Sequence, residues 1–272
     1  MKYLIVTADD LGLTKSINEG IAGACRDGVV TAVSVIPTGD AVDDALGLIK
    51  ELPFKDIGAH LSLSETGPLL ASSRHYRSYK ELFFDMVFGR VSAEGLYNEL
   101  KAQMEALKKS GFKITHISSH ENVHMIPKVL GIFIRVAKEY GIPAIRFPRG
   151  DRPVRAVSVK DNYRKMVLDH FAPSMESALS SSGLIFTNHF FGLLDSGCLD
   201  IEKINGIVKT MKDGVSELVT HPGFLRPEVM GRYSWHIGAE TELFALTDKS
   251  VKRTIAENGV KLIGFEEFVK MR

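Results

Sequence analysis

The chain has 272 residues, 44% hydrophobic and 25% charged, the proportions of an ordinary soluble globular protein. A formal net charge of +1 supplies no long-range field toward nucleic acid or an anionic membrane, so neither is expected as a partner. Cys25 and Cys198 stand in unrelated contexts with no CxxC pair, which argues against a disulfide framework or a cysteine zinc site.

The apolar start YLIVTA (3–8) stops at Asp9-Asp10, too short for a signal peptide or a membrane span, and a cytoplasmic location is expected. Further β-rich runs follow: VVTAVSVI (29–36), IGAHLSL (57–63), KITHISS (113–119), AIRF (144–147), LIFTN (184–188), ELVT (217–220) and KLIGF (261–265). Between them, residues 16–26, 92–111, 127–141 and 241–259 carry apolar residues at three- and four-residue intervals, the helical spacing. Glycines 28, 111, 141, 214 and 259 are expected to end helices. Alternating strands and helices predict an α/β fold: a (β/α)-barrel-like parallel barrel, with room for an irregular or incomplete strand, formed as a single domain over residues 1–272. A doubly wound open sheet is the competing architecture. Residues 149–161, rich in arginine and lysine, are the most loop-like stretch and a candidate lid.

In parallel βα folds functional groups gather where strands end. Asp9-Asp10 follow the first strand, His60 lies in the third, His120 and His124 follow the fourth, Arg146 and Arg149 bracket the end of the fifth, and His189 and His221 follow the sixth and seventh. The stretch HENVH (120–124) matches the zinc-peptidase pattern, in which a helix presents two imidazoles and a glutamate base. Its surroundings contradict that reading. The preceding run is β-like, and Pro127 is expected to open the next helix, which leaves both histidines on the loop before it. Pro127 and Leu130 also occupy the Gly and His positions of the extended signature. Glu121 then reads as a solvated loop residue.

Two imidazoles and one carboxylate around a divalent ion form a recurring hydrolytic site, and Asp10, His60 and His124 could supply that set. Asp9, pointing away from Asp10 by strand alternation, could serve as general base and His221 as proton donor. Bland readings stand beside these. Asp9 or Asp10 could cap the helix at 16–26, although Thr14 and Ser16 are nearer caps; His60 could be a satisfied core histidine; His221-Pro222-Gly223 could be a turn. His116 reads as structural, and His75, His170 and His236 as surface residues. Of the aromatic residues near strand ends, Phe224 and Trp235 are the candidate sugar platforms.

Four blocks in order, TADDLG (7–12), IGAHLSL (57–63), THISSHENVHMIP (115–127) and THPGF (220–224), resemble the YdjC-like carbohydrate deacetylases over nearly the whole chain. The resemblance implies a barrel-like hydrolase that removes acetyl groups from N-acetylated sugars or oligosaccharides with one divalent metal ion. Mg²⁺ is implied by the resemblance, whereas imidazole ligands suit Zn²⁺ or another transition metal. It implies Asp10, His60 and His124 as metal ligands, Asp9 as base and His221 as acid, and Arg146 as a contact to Asp9 or the substrate. His120, Phe224 and Trp235 join Arg146 as expected substrate-binding residues, and a homodimer is the candidate assembly. The chain departs from the family pattern at Thr7 and Leu11, at Glu121-Asn122 where relatives carry more histidine, and at Ala239, where relatives carry arginine before Glu-x-Glu-Leu. Arg232 is the candidate replacement for that arginine. The rival readings are a metal-dependent hydrolase or isomerase of another sugar or phosphosugar on the same barrel, and a saccharide-binding protein without chemistry.

Overall fold

The long first strand, β1 (Lys2–Leu11), is buried from Leu4 onward, as expected of a strand covered on both faces. It is the centre of the sheet in a computed structural model that describes residues 1–54, 56–149 and 159–272. The other strands are β2 (Ala32–Val35), β3 (Ile57–Leu61), β4 (Ile114–Ser119), β5 (Ala144–Ile145), β6 (His189–Phe191), β7 (Gly214–Thr220) and β8 (Val260–Leu262). Their order is β5-β4-β3-β2-β1-β7-β6, all parallel, and the sheet curls into a half-barrel flanked by helices, a (β/α)-barrel-like fold. β7 holds one edge of β1 from Lys2 to Ala8. The other edge is shared, by β8 at Lys2–Leu4 and by β2 from Thr7 onward, so the last strand is the incomplete one. The sixth run pairs later than its residues suggest: Ile185 makes a single bridge to Ala144 beside β5, and the ladder to β7 begins at His189.

The helices are α1 (Lys15–Asp27), α2 (Val42–Ile49), α3 (Tyr79–Val87), α4 (Ala93–Lys108), α5 (Pro127–Glu139), α6 (Val159–Ser182), α7 (Ile201–Thr210), α8 (Ala239–Thr247), α9 (Lys249–Glu257) and α10 (Phe265–Lys270). In α1 the spacing Ile17, Ile21, Ala24 lines one buried face, and the Thr14 hydroxyl accepts from the Ile17 N–H as N-cap. Burying each isoleucine contributes about 1.5–3 kcal/mol. Neither Asp9 nor Asp10 caps this helix. Gly141, at φ +66°, follows α5 as expected, but Gly214 opens β7 instead of ending a helix. The single helix expected over 241–259 is two, because Asp248 turns extended and its carboxylate caps Ser250 at the start of α9. In the candidate lid, residues 150–158 lie outside the described residues, and α6 begins at Val159. Among the described residues no helix is long and apolar enough to cross a membrane.

Candidate metal and catalytic site

The site lies where β1, β3, β4, β5 and β7 end, and an irregularity in β1 builds it. The β1–β2 register shifts between Ala8 and Leu11, and Asp10 adopts φ +69°, a conformation that non-glycine residues rarely occupy. Strand alternation was expected to send Asp9 and Asp10 opposite ways. The bulge instead turns both to one imidazole: His60 Nε2 is 3.7 Å from Asp9 Oδ2 and 3.5 Å from Asp10 Oδ1.

Arg146 follows β5 and is only 1% exposed. Both terminal nitrogens of its guanidinium donate to Asp9, with Nη2 2.9 Å from Oδ1, and its Nε donates to Glu217 Oε1 at 2.9 Å. Thr7 adds a 3.1 Å bond to the same Glu217 oxygen. Burial pushes the Asp9 carboxyl upward, but the Arg146 charge outweighs it and holds Asp9 well below the usual carboxylate range. Of the two roles expected for Arg146, the geometry gives the contact to Asp9, since every guanidinium bond goes to a carboxylate in the barrel interior.

Asp10 is ringed by nitrogen. His120 Nδ1 donates to Oδ1 at 3.0 Å, His236 Nε2 donates to Oδ2 at 2.9 Å, and the Trp235 indole N–H lies 3.5 Å from Oδ2. The outer nitrogens of the two imidazoles nearest Oδ1 are tied down: His60 Nδ1 lies 2.7 Å from the Ser118 hydroxyl, and His120 Nε2 donates to Glu65 at 2.9 Å. Burial lowers the pKa of both rings, but for His120 the Asp10 and Glu65 carboxylates win and raise it to about 10, while His60 falls to about 4. One ligand atom each from Asp10, His60 and His120 lies within 4.8 Å of the others, a cluster that could hold a metal ion. The donor set fits a divalent cation: one carboxylate, two imidazoles, and a second hydrogen bond on each ring to orient it.

His124, the imidazole expected to complete that set, is not part of the cluster, and both of its ring nitrogens have other partners. Its Nε2 donates to the Arg146 carbonyl at 3.1 Å, so Nδ1 must accept from the Ser119 hydroxyl at 2.5 Å, and burial lowers its pKa to about 3. The HENVH stretch is a tight 3-10 turn with Glu121 and Asn122 both at φ +53°, which no peptidase α-helix contains, and α5 starts at Pro127 as expected. Glu121 is not a solvated loop residue. Its carboxylate accepts from the Ser64 hydroxyl and the Tyr79 N–H, each at 2.6 Å.

His221 follows β7. Burial lowers its pKa to about 4, and its Nδ1 lies 3.2 Å from the Ser196 hydroxyl. Its backbone N–H donates to Glu242 Oε2 at 2.6 Å. Asp9, Asp10, His60, His120, His221, Trp235, Lys80, Ser196 and Cys198 share the walls of one cavity of about 390 Å³. Phe224 is not among its lining residues; it is 36% exposed, with the Arg226 guanidinium over its ring. Arg232 pairs with Asp40, Arg149 with Glu176, and His189 opens β6 with its ring against the Asp213 carbonyl. His236, read as a surface residue, is 0% exposed and bonds Asp10; its Nδ1 has no hydrogen-bond partner among the described residues. Ser196, Glu65, Glu217 and Glu242 went unread as well. Glu242 lies in the Glu-x-Glu-Leu pattern after Ala239, but the pattern assigns it no contact, and nothing in the spacing of the other three marks them, because each acts through a contact between distant segments.

A half-barrel of parallel strands with paired carboxylates and clustered imidazoles at its strand ends defines an α/β protein with a candidate metal-hydrolase site. The chain belongs to the YdjC-like family, whose sequence model matches residues 3–257. It is 32% identical over 269 residues to the carbohydrate deacetylase of Brevibacillus brevis, covering 97% of this chain and 98% of that one. It is also 32% identical over 265 residues to a chitooligosaccharide deacetylase of Klebsiella pneumoniae, covering 96% and 97%. A solved structure from Enterococcus faecalis V583, provisionally assigned to cellobiose-phosphate cleavage, superposes with a TM-score of 0.77 at 24% identity over 98% of both chains and supports the fold.

Proposed function

We propose that this protein is a metal-dependent deacetylase of N-acetylated amino sugars or their oligosaccharides. The observation that carries the reading is that Asp9, Asp10, His60, His120 and His221 face one cavity. The names of the full-length relatives supply the substrate class. Asp10, His60 and His120 would hold the ion, with His120 in the place expected of His124. When bound, a divalent ion polarises the acetamide carbonyl and lowers the pKa of water beside it, and two imidazoles favour Zn²⁺ or a similar transition ion over Mg²⁺.

The chain's own residues do the rest. Asp9, kept ionised by Arg146, takes a proton from the attacking water as its oxygen bonds the carbonyl carbon. His221 is neutral in the resting site; an oxyanion developing beside it raises its proton affinity, so it takes up a proton from solvent water and passes it to the departing nitrogen as the C–N bond breaks, while the proton held by Asp9 returns to solvent. The products are acetate and a free amine. Trp235 offers an indole face at the cavity wall for the sugar.

The test is acetate and amine release from N-acetylated chitooligosaccharides by protein loaded in turn with Zn²⁺, Co²⁺ and Mg²⁺. Asp9→Asn should lower turnover by about 100-fold or more while still binding metal. Absence of acetate from the metal-loaded wild type, or full activity in Asp9→Asn, overturns the proposal.

A further inference from the structure

Glu242 sits near the start of α8, where a glutamate would ordinarily face solvent and favour the helix dipole. Here it is 0% exposed. No lysine, arginine or histidine side chain among the described residues forms an ion pair with it, so only backbone N–H groups offset its burial, which still pushes the carboxyl up to about 7. Oε2 accepts from His221 at 2.6 Å and Oε1 from Leu199 at 3.3 Å, with the Gly197 and Cys198 N–H groups also directed at it. The two segments joined in this way follow different strands, and both face the cavity: Ser196 and Cys198 from one, His221 from the other.

The segments are also closed against α8. A Cβ on Gly238 would lie 1.9 Å from the Gly197 carbonyl oxygen, so that crossing admits only glycine. Gly223 donates to the Ala239 carbonyl at 3.2 Å, which pins the residues after His221 to the same helix. One carboxylate therefore sets the spacing between the Ser196 hydroxyl and His221 Nδ1. With Nδ1 engaged at 3.2 Å, Nε2 is the nitrogen left to serve the cavity.

We propose that Glu242 is the positioning residue of the proton donor, holding His221 and its orienting hydroxyl, Ser196, in one register. This rests on the deacetylase reading of the same site. Glu242 touches no reacting atom and acts only through His221.

Leaving-group chemistry separates this role from simple structural support. The amine of an acetamide departs only when protonated, whereas 4-nitrophenolate leaves 4-nitrophenyl acetate without a proton. Glu242→Gln keeps one acceptor oxygen but turns an NH₂ toward the other N–H donor. It should lower kcat on an N-acetylated chitooligosaccharide by about 10- to 100-fold, the cost of misplacing a catalytic group by about an ångström. The loss on 4-nitrophenyl acetate should be at least about tenfold smaller, with KM for the saccharide little changed. Ser196→Ala should shift the ratio of the two rates in the same direction, and Glu242→Asp should recover part of the loss. The double variant Glu242→Gln/His221→Ala should be no slower on the amide than His221→Ala alone.

Equal losses on amide and ester, or losses that add to those of His221→Ala, overturn the proposal. If Glu242→Gln does not fold, Ser196→Ala and Glu242→Asp decide, and wild-type amide turnover in both overturns it. Wild-type protein that cleaves neither substrate with metal bound refutes the deacetylase reading and this inference with it; wild-type cleavage with an indifferent Glu242→Gln refutes only the inference.

Discussion

His120 and His124 arise from one turn and have opposite environments. His120 is bound on both nitrogens by carboxylates, Asp10 and Glu65, which favour a positive centre at that spot. His124 is bound by a hydroxyl and a carbonyl and keeps a neutral ring between β4 and β5. Replacing each by alanine should therefore give different outcomes in calorimetric Zn²⁺ titration of metal-free protein. His120→Ala should weaken binding by about 100-fold or more, beyond the 10- to 100-fold typical of an outer partner, and His124→Ala by about tenfold or less. The reverse order would restore the ligand set expected from the resemblance. Asp9, Asp10, His60 and His221 were legible because each closes or occupies a strand. His236 and Glu242 were not, since a histidine in a short turn and a glutamate at a helix start usually face solvent; only the fold turns these two inward.

Most elements were legible because runs of valine, isoleucine and alternating apolar residues mark strands, and apolar spacing of three and four marks helices. What escaped were the breaks in regularity: the bulge at Asp9-Asp10, the delayed pairing of β6, and the division of α8 from α9. These depend on one residue's backbone angle or one capping carboxylate and leave the pattern of hydrophobicity untouched. The 3-10 turn after β4 is the most consequential, because two successive left-handed residues separate His120 from His124. Asparagine tolerates that conformation better than alanine does. Asn122→Ala should therefore cost about 1 kcal/mol of stability in urea melts, and Asn122→Gly should cost less than that or nothing. Equal stability in all three proteins would show that the turn relaxes into a right-handed path without penalty.

Across the whole molecule, the half-barrel collects titratable groups in its interior, and their protonation links folding to pH. Burial lowers His60 and His221 to about 4 and His124 to about 3, and also lowers His116. A histidine depressed in the folded state binds its proton in the unfolded chain first. Its contribution is complete above the unfolded value near 6.5 and is lost as pH falls through the folded value. His120, raised to about 10, works oppositely: its contribution is complete below about 6.5 and is lost as pH climbs toward 10. Between pH 6.5 and 4 the His120 contribution is already complete, and His60, His124 and His221 each forfeit on the order of 3 kcal/mol, with His116 adding in the same direction. Glu242, raised by burial to about 7, and Glu217, Glu121 and Asp56, raised in the same way, offset part of that loss, because they take up protons more readily in the folded chain. The carboxylates Asp9 and Asp10, held low by their cationic neighbours, lose their contribution only at more acid pH. Urea melts of metal-free protein should accordingly show a net fall in stability from pH 7 to 4.5, well before ordinary carboxylate titration is complete. His124→Gln should flatten that slope by about one proton, because glutamine keeps a donor and an acceptor for the Arg146 carbonyl and Ser119 but cannot titrate. A stability that stays level from pH 7 to 4.5 would mean these rings take up protons in the folded chain as readily as in the unfolded one, and that the interior is wetter than the packing around the site implies.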